Sequence, residues 1–277
     1  MSKKGYVVLA QNNGKVDYVR QAYLLAKSIQ KSQSKIKKVT LVTNDEVPEE
    51  YIKAFDKIIP IPFGDHAENS EWKIENRWKL YHASPYYETI VFDADMLVVD
   101  SLLPCWTFAE GKEMCFTSRV TNYKGQTVTD NSYRKMFVEN DLPNVYTGFY
   151  YFKKGPFAET FFKLLEIITY NWQRYFFELA PKSSQSFFSM DVAASLAVKV
   201  LGIEPDVFHP ASPFTFVHMK PALQGWNPIP SSCYTRVPTL INSKRELFIG
   251  NYMQHGVFHY VEDEFLTDKI VERINGK

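Results

Sequence analysis

Short apolar runs alternate with amphipathic stretches through the first hundred residues, and their order predicts a layered α/β fold. Tyr6-Val7-Val8-Leu9-Ala10 reads as a buried strand, closed by the turn-forming Asn12-Asn13-Gly14. Asp17 can then cap a helix in which Val19, Ala22, Tyr23, Ala26 and Ile29 recur at helical spacing. Residues 39–43 and 57–61 predict two further strands, with a short helix over 48–53 between them. A helix over 71–84, carrying Trp72, Ile74, Trp78 and Tyr81 on one face, leads into a fourth strand. Strand, helix, strand in this rhythm argues for a mostly parallel central sheet flanked by helices.

Beyond residue 100 the pattern loosens. A strand is expected over 114–119, followed by a polar, turn-rich stretch with a short helix at 133–139. Such a stretch is either a lid or an irregular surface excursion. The strand over 145–152 contains Thr147-Gly148, and a glycine there marks close approach by a ligand or another backbone. Residues 157–179 predict one long helix, and 187–200 a second that opens on Asp191, at a position where the helix dipole favours a carboxylate. After Asp206 the chain is rich in proline and carries two strand-like runs, one bearing His218 followed by Lys220, the other bearing His259. No repeat, low-complexity tract or linker divides the chain.

The chemistry gathers at the end of the fourth strand. Ile90-Val91-Phe92 leads into Asp93-Ala94-Asp95, and Met96-Leu97-Val98-Val99 leaves it. Two carboxylates two residues apart between apolar runs are costly unless compensated. A hard divalent cation such as Mg²⁺ or Mn²⁺ takes carboxylate oxygens and shares its remaining positions with phosphates; the plain alternative is a solvated acidic turn. In open α/β sheets ligands sit at the carboxyl ends of strands, where this pair and the turns after the first two strands fall. Neither a G-x-G-x-x-G nor a G-x-x-x-x-G-K-[ST] phosphate loop is present, so any phosphate must be held by a metal and side chains.

Composition narrows the setting. The 277 residues suffice for a sizeable core, and 45% hydrophobic with 23% charged residues is ordinary for a globular protein. A net charge of +1 gives no global attraction to nucleic acid or an anionic membrane; the basic 31–38 segment and Arg134-Lys135 read as solvated surface. Cys105, Cys115 and Cys233 fall in no zinc spacing and read as reduced core thiols. With no signal-like leader, membrane span or glycosylation sequon, the expected location is cytoplasmic.

Lys79, Tyr86-Tyr87 and the run from Ile90 through Asp93-Ala94-Asp95 to Val98 together resemble a known block, the K…Y…(apolar)DADxLV pattern of the GT-A glycosyltransferases. The likeness is nearest to the family 8 type that includes glycogenin and bacterial galactosyltransferases. Thr147-Gly148-Phe149 stands where that family has Asn-(Ala/Ser)-Gly, Asp191 where it has Asp-Gln, and a late His-bearing segment follows. The likeness spans most of the chain in order, and the DAD block is its specific part.

The resemblance implies a single GT-A, Rossmann-like domain over 1–277, with a nucleotide-sugar-binding half (1–100) and an acceptor-binding half (101–277). It implies a hexosyl- or pentosyltransferase acting on a nucleotide-sugar donor, usually UDP-linked, with Mn²⁺ or Mg²⁺ bridging the diphosphate. Asp93 and Asp95 would hold the metal with a late histidine, His259 or alternatively His218; with His259 as the ligand, His218 and Lys220 would contact donor phosphate or acceptor. Ala10, Asn12, Asn13 and Tyr18 would receive uracil and ribose, with Ala94, Thr147 and Gly148 along the donor. Lys79 would add positive charge at the leaving group, and Asp191 is the candidate base should the reaction invert. Two departures stand out: Asp191 is followed by Val192 rather than Gln, and the family's H-x-x-G-x-x-K-P-W is not intact. The acceptor is a hydroxyl of a glycan, protein, metabolite or hydroxylated DNA base. The other classes that fit are a nucleotidyltransferase and a non-catalytic nucleotide-sugar- or carbohydrate-binding protein.

Overall fold

The computed structural model describes residues 3–128, 134–183, 185–219, 237–244 and 246–276. Its centre is a six-stranded sheet built from β1 (Lys4–Leu9), β2 (Val39–Val42), β3 (Lys57–Ile59), β4 (Glu88–Phe92), β6 (Met114–Thr117) and β7 (Tyr146–Lys153). Their order is β3-β2-β1-β4-β7-β6. The first four run parallel, and β7 is antiparallel to both of its neighbours. The chain steps outward from β1 to β3 and then returns to the other side of β1 as β4. This reversal falls between β1 and β4, and the carboxyl ends of strands at such a point are where open α/β sheets bind ligands.

Both faces of the sheet are covered because its strands alternate between two cores. Val7, Val91, Tyr150 and Phe152 point to one core, with α6 (Pro156–Tyr170) and α8 (Met190–Leu201). Tyr6, Val8, Ile90, Phe92 and Phe149 point to the other, with α1 (Tyr18–Ser32) and α4 (Leu103–Phe108). Short helices α2 (Glu49–Ile52), α3 (Leu80–Ala83), α5 (Lys135–Glu139) and α9 (Glu204–Val207) join the strands, and α10 (Asp268–Asn275) packs beside α1. Cys105 and Cys115 are buried thiols, each pushed up to about 12 chiefly by burial; Cys233 lies outside the described residues. Among the described residues, no helix is long and apolar enough to cross a membrane.

Two expected helices differ. Over 71–84 only a 3₁₀ turn, Arg77–Lys79, and α3 form. Lys73 adopts a left-handed backbone (φ 55°), and the Asn76 side chain bonds Gln11 and Asp65 instead of facing a helical groove. Trp72 is therefore exposed while Trp78 is buried. The long helix over 157–179 breaks at Asn171 (φ −124°), whose amide turns back to the Ile167 carbonyl, and α7 (Trp172–Leu179) starts afresh.

Two small sheets complete the fold. β9 (Thr239–Ile241), β10 (Leu247–Ile249) and β11 (Tyr252–Met253) form an antiparallel meander. β5 (Met96–Val98) pairs antiparallel with β12 (Val257–His259), which pairs parallel with β8 (Val217–His218). Helix α1 anchors the first of these strands. The Ser28 hydroxyl accepts from the Val98 amide at 2.9 Å, and the Gln33 amide accepts from Leu102 N (2.8 Å) while donating to Asp100 O (2.9 Å). Ser28→Ala should leave the buried Val98 N–H without its acceptor and lower stability by about 1–3 kcal/mol. A denaturant titration showing no shift of the midpoint would refute this anchoring.

Candidate functional site

Asp93-Ala94-Asp95 forms the turn between β4 and β5, held by main chain on both sides. The Asp93 amide donates to Gly148 O at 2.8 Å, and the Tyr260 amide donates to Asp95 O at 3.2 Å. The second bond draws in the end of β12, so that His259 Nε2 lies 2.8 Å from Asp95 Oδ2. Ligand atoms of Asp93, Asp95 and His259 all lie within 4.8 Å of one another. Two carboxylates and an imidazole form a donor set suited to Mg²⁺ or, better, Mn²⁺, which takes oxygen and nitrogen together. His218 is opposite His259 in the strand register. It is buried, with its ring stacked on that of His259 at 4.7 Å and 2°. The structure thus brings His259, rather than His218, to the carboxylates.

Gly148 shapes the same spot. A Cβ there would lie 2.8 Å from Asp93 Oδ2 and 2.9 Å from Met96 Cε, so the missing side chain is what gives the carboxylate its room. The sequence pattern expects a ligand or another backbone close to this glycine; the groups that come close are instead the side chains of Asp93 and Met96.

Arg77, which the sequence pattern did not single out, supplies the positive charge. Its Nη2 lies 2.6 Å from Asp93 Oδ1, and its Nη1 reaches Thr147 Oγ1 at 3.4 Å. Burial works against the charge of this guanidinium, but Asp93, Asp191 and Asp95 outweigh it and raise its pKa. Burial raises the Asp93 pKa against the pull of Arg77, with Asp95 adding repulsion. For Asp95 burial acts the same way, but the charge and hydrogen bond of His259 prevail and lower its pKa.

Lys79 is not brought to this group. It is buried, and its ammonium donates to Gly64 O and, at 2.6 Å, to Asn76 Oδ1. Burial lowers its pKa, and the carboxylates that oppose this are Asp65 and Glu166. Residues two apart on a tight helical turn face different ways, so Arg77 and Lys79 cannot both reach the Asp93 turn.

Asp191 opens α8 behind Ser189, whose hydroxyl accepts from Val192 N. Its Oδ1 accepts from the Thr147 amide (2.8 Å) and hydroxyl (2.6 Å), and its Oδ2 from Arg134 Nη1 (2.7 Å). Burial alone would raise its pKa, but Arg134 and these bonds hold it below the usual carboxylate range. Arg134 is buried rather than solvated. Its guanidinium lies between the rings of Phe137 (3.7 Å) and Tyr146 (4.0 Å) and also donates to Asn144 Oδ1 and Val145 O. Both oxygens of Asp191 are engaged, which argues against a free base.

The turn after β1 is held by its own polar groups. Asn12 N donates to Asp45 Oδ2 (2.6 Å), Asn12 Oδ1 accepts from Val19 N, and Asn13 Oδ1 accepts from Lys15 N and Val16 N. Ala10 N donates to Val42 O. Tyr18, first in α1, has its phenol pushed up to about 12 by burial and then by Asp95. Lys220 lies outside the described residues.

No protein-family model and no curated protein matches the sequence. Among solved structures, the galactosyltransferase LgtC in complex with donor and acceptor sugar analogues matches over 98% of this chain and 95% of its own, at 15% identity and a TM-score of 0.53. The fold is that of the GT-A glycosyltransferases. The glycosyltransferase GlyE of Streptococcus pneumoniae matches at 15% identity and a TM-score of 0.40, over 74% of this chain and 44% of GlyE. The chain thus spans less than half the length of GlyE. Mouse xyloside xylosyltransferase 1 matches at 10% identity and a TM-score of 0.43, over 75% of this chain and 84% of its own.

Two predictions follow from the geometry. Gly148→Ala should displace the Asp93 carboxylate and weaken Mn²⁺ binding at least tenfold, about 1.4 kcal/mol, read by electron paramagnetic resonance; unchanged affinity would refute the packing argument. The stability that Asp191 contributes should be complete above the ordinary aspartate pKa of about 3.9 and be lost as pH falls from there through its lower folded value. The stability gap between wild type and Asp191→Asn should therefore be full at neutral pH and narrow in acid. A gap that stays constant through acid pH would show that the charge is not what stabilises.

Proposed function

We propose that the chain is a metal-dependent glycosyltransferase that moves a hexose or pentose from a nucleotide sugar, most simply a UDP-sugar, to a hydroxyl acceptor. The observation that carries this reading is the convergence of Asp93, Asp95 and His259 at the carboxyl end of β4, next to the point where the strand order reverses. The match to LgtC, whose structure holds donor and acceptor sugar analogues, supports assigning both kinds of substrate to this fold.

In this reading Asp93, Asp95 and His259 hold Mn²⁺ or Mg²⁺. When bound, the ion supplies a Lewis acid against the charge that develops on the leaving diphosphate. Arg77 adds a fixed positive charge beside the same carboxylates, already oriented by Asp93 and Thr147. The turn at Ala10, Asn12 and Asn13, with the Tyr18 ring, receives the nucleoside, so residues 1–100 serve the donor and the later part of the chain the acceptor. Ala94, Thr147 and Gly148 line the path of the donor sugar, and His218 buttresses His259. Asp191 has both oxygens engaged and a lowered pKa, so it serves as a positioning group rather than the acceptor's base. A reaction that retains the anomeric configuration needs no such base, which supports retention as the outcome.

The test is hydrolysis of a UDP-sugar panel with Mn²⁺ and no acceptor. Slow release of UDP from at least one member is expected, falling roughly 100-fold or more in Asp95→Asn and His259→Ala. His218→Ala should weaken Mn²⁺ binding less than His259→Ala. Failure of every donor to bind or hydrolyse would overturn the assignment.

A further inference from the structure

Strand β7 changes face part-way along its length. As β6 advances from Phe116 to Thr117, its partner on β7 jumps from Tyr150 to Tyr146. The regular alternation is lost over this bulge, so Tyr146 and Phe149, three positions apart, pack into the same core. Thr147 and Tyr150 correspondingly face one small cavity on the opposite side of the sheet, towards α6 and α8.

The cavity has a volume of about 10 Å³, just room for one water molecule. Most of its wall is apolar, with Leu165 of α6 and Ala194 of α8 among it, but Arg77, Asp93, Thr147 and Tyr150 also stand on it. Arg77 is bound to Asp93 and Thr147, and Thr147 to Asp191. Tyr150 is buried, and its hydroxyl has no hydrogen-bond partner among the described residues. Burial raises its pKa; Arg77 opposes that rise and Asp93 adds to it, so both charges of the pair are felt at the phenol. A buried hydroxyl left unpaired costs stability, and folded proteins supply such groups with a partner, from the chain or from ordered water.

The lining chooses the occupant. A cavity that stays dry is apolar on all sides, and this one is not. A cation would meet the Arg77 guanidinium, and an anion the Asp93 carboxylate. A water molecule can accept from the guanidinium or a hydroxyl and donate to the carboxylate, so it suits both charges and the phenol. We infer that the cavity is the site of one internal water, which links the Tyr150 hydroxyl to the Arg77–Asp93 pair and makes Tyr150 a positioning residue for that pair. The Asp93 carboxylate is then braced from the core as well as by Arg77. The water site stands on its own; the positioning role rests on the proposed metal-dependent transfer, in which Asp93 is a ligand.

The test combines a high-resolution crystal structure with Mn²⁺ titration followed by electron paramagnetic resonance. Density for one water is expected within hydrogen-bond reach of Tyr150 Oη and of Arg77, Asp93 or Thr147, and Tyr150→Phe should lose it. Ala194→Val, which fills the cavity from α8 while keeping the hydroxyl, should expel it as well. Each variant should weaken Mn²⁺ binding about three- to tenfold, less than loss of a ligand's direct partner. The two together should cost no more than either alone, because both act through one molecule. Thermal melts identify any variant that has lost its fold. A cavity without that density overturns the inference, and so does Mn²⁺ affinity that Tyr150→Phe leaves unchanged. Additive losses would reveal two separate packing effects and overturn the positioning role. A wild type that takes no Mn²⁺ overturns the transferase reading and the positioning role together, while the density still decides the water site.

Discussion

Asp93, Asp95 and Asp191 place three negative charges at one edge of the sheet, in surroundings largely sheltered from water. Left alone, each would either protonate or cost several kcal/mol. Arg77 is bound to the first and is felt by all three, His259 is bound to the second, and Arg134 to the third. Much of the local architecture can be read as the means of delivering these countercharges. The 3₁₀ turn presents Arg77, the ring sandwich of Phe137 and Tyr146 holds Arg134, and the small sheet carries His259 in from far along the sequence.

The charges also divide the labour. Arg134 and Asp191 satisfy each other, and through the Thr147 amide and hydroxyl they fix the start of β7, where Gly148 leaves room for Asp93. Asp93 and Asp95 are compensated differently. Their partners are a guanidinium and an imidazole, and an entering cation can share or replace both. The first pair thus builds the frame, and the second pair is the one whose countercharges can be exchanged.

Much of the fold was legible in the sequence, because its strands are apolar runs bounded by turn formers and α1 has an undisturbed period. The helices failed where side chains found partners outside the helix, as Asn76 did with Gln11 and Asp65. Within the site, Asp93 and Asp95 were legible because two carboxylates between apolar runs are a local anomaly. His259 showed only as the end of a strand-like run. Arg77 and Arg134 left no local signal: one sits on a short turn, the other at the edge of an irregular stretch. Both acquire meaning only from tertiary pairing. Lys79 drew attention through its resemblance to a motif, and burial has committed it to the Asp65–Asn76 cluster instead.

The separation of Asp95 and His259 by 164 positions has a consequence for how the molecule comes into being. Contacts of such long range close late, because the loop entropy must be overcome before they contribute. A chain emerging from synthesis exposes its acidic turn long before the strand that carries the imidazole exists. Until then β5 has an unpaired edge, guarded on one side only by the hydroxyl of Ser28. Completion of the Asp93–Asp95–His259 group is therefore a late event in assembly, and the cation binding proposed there would mark a chain that has finished folding.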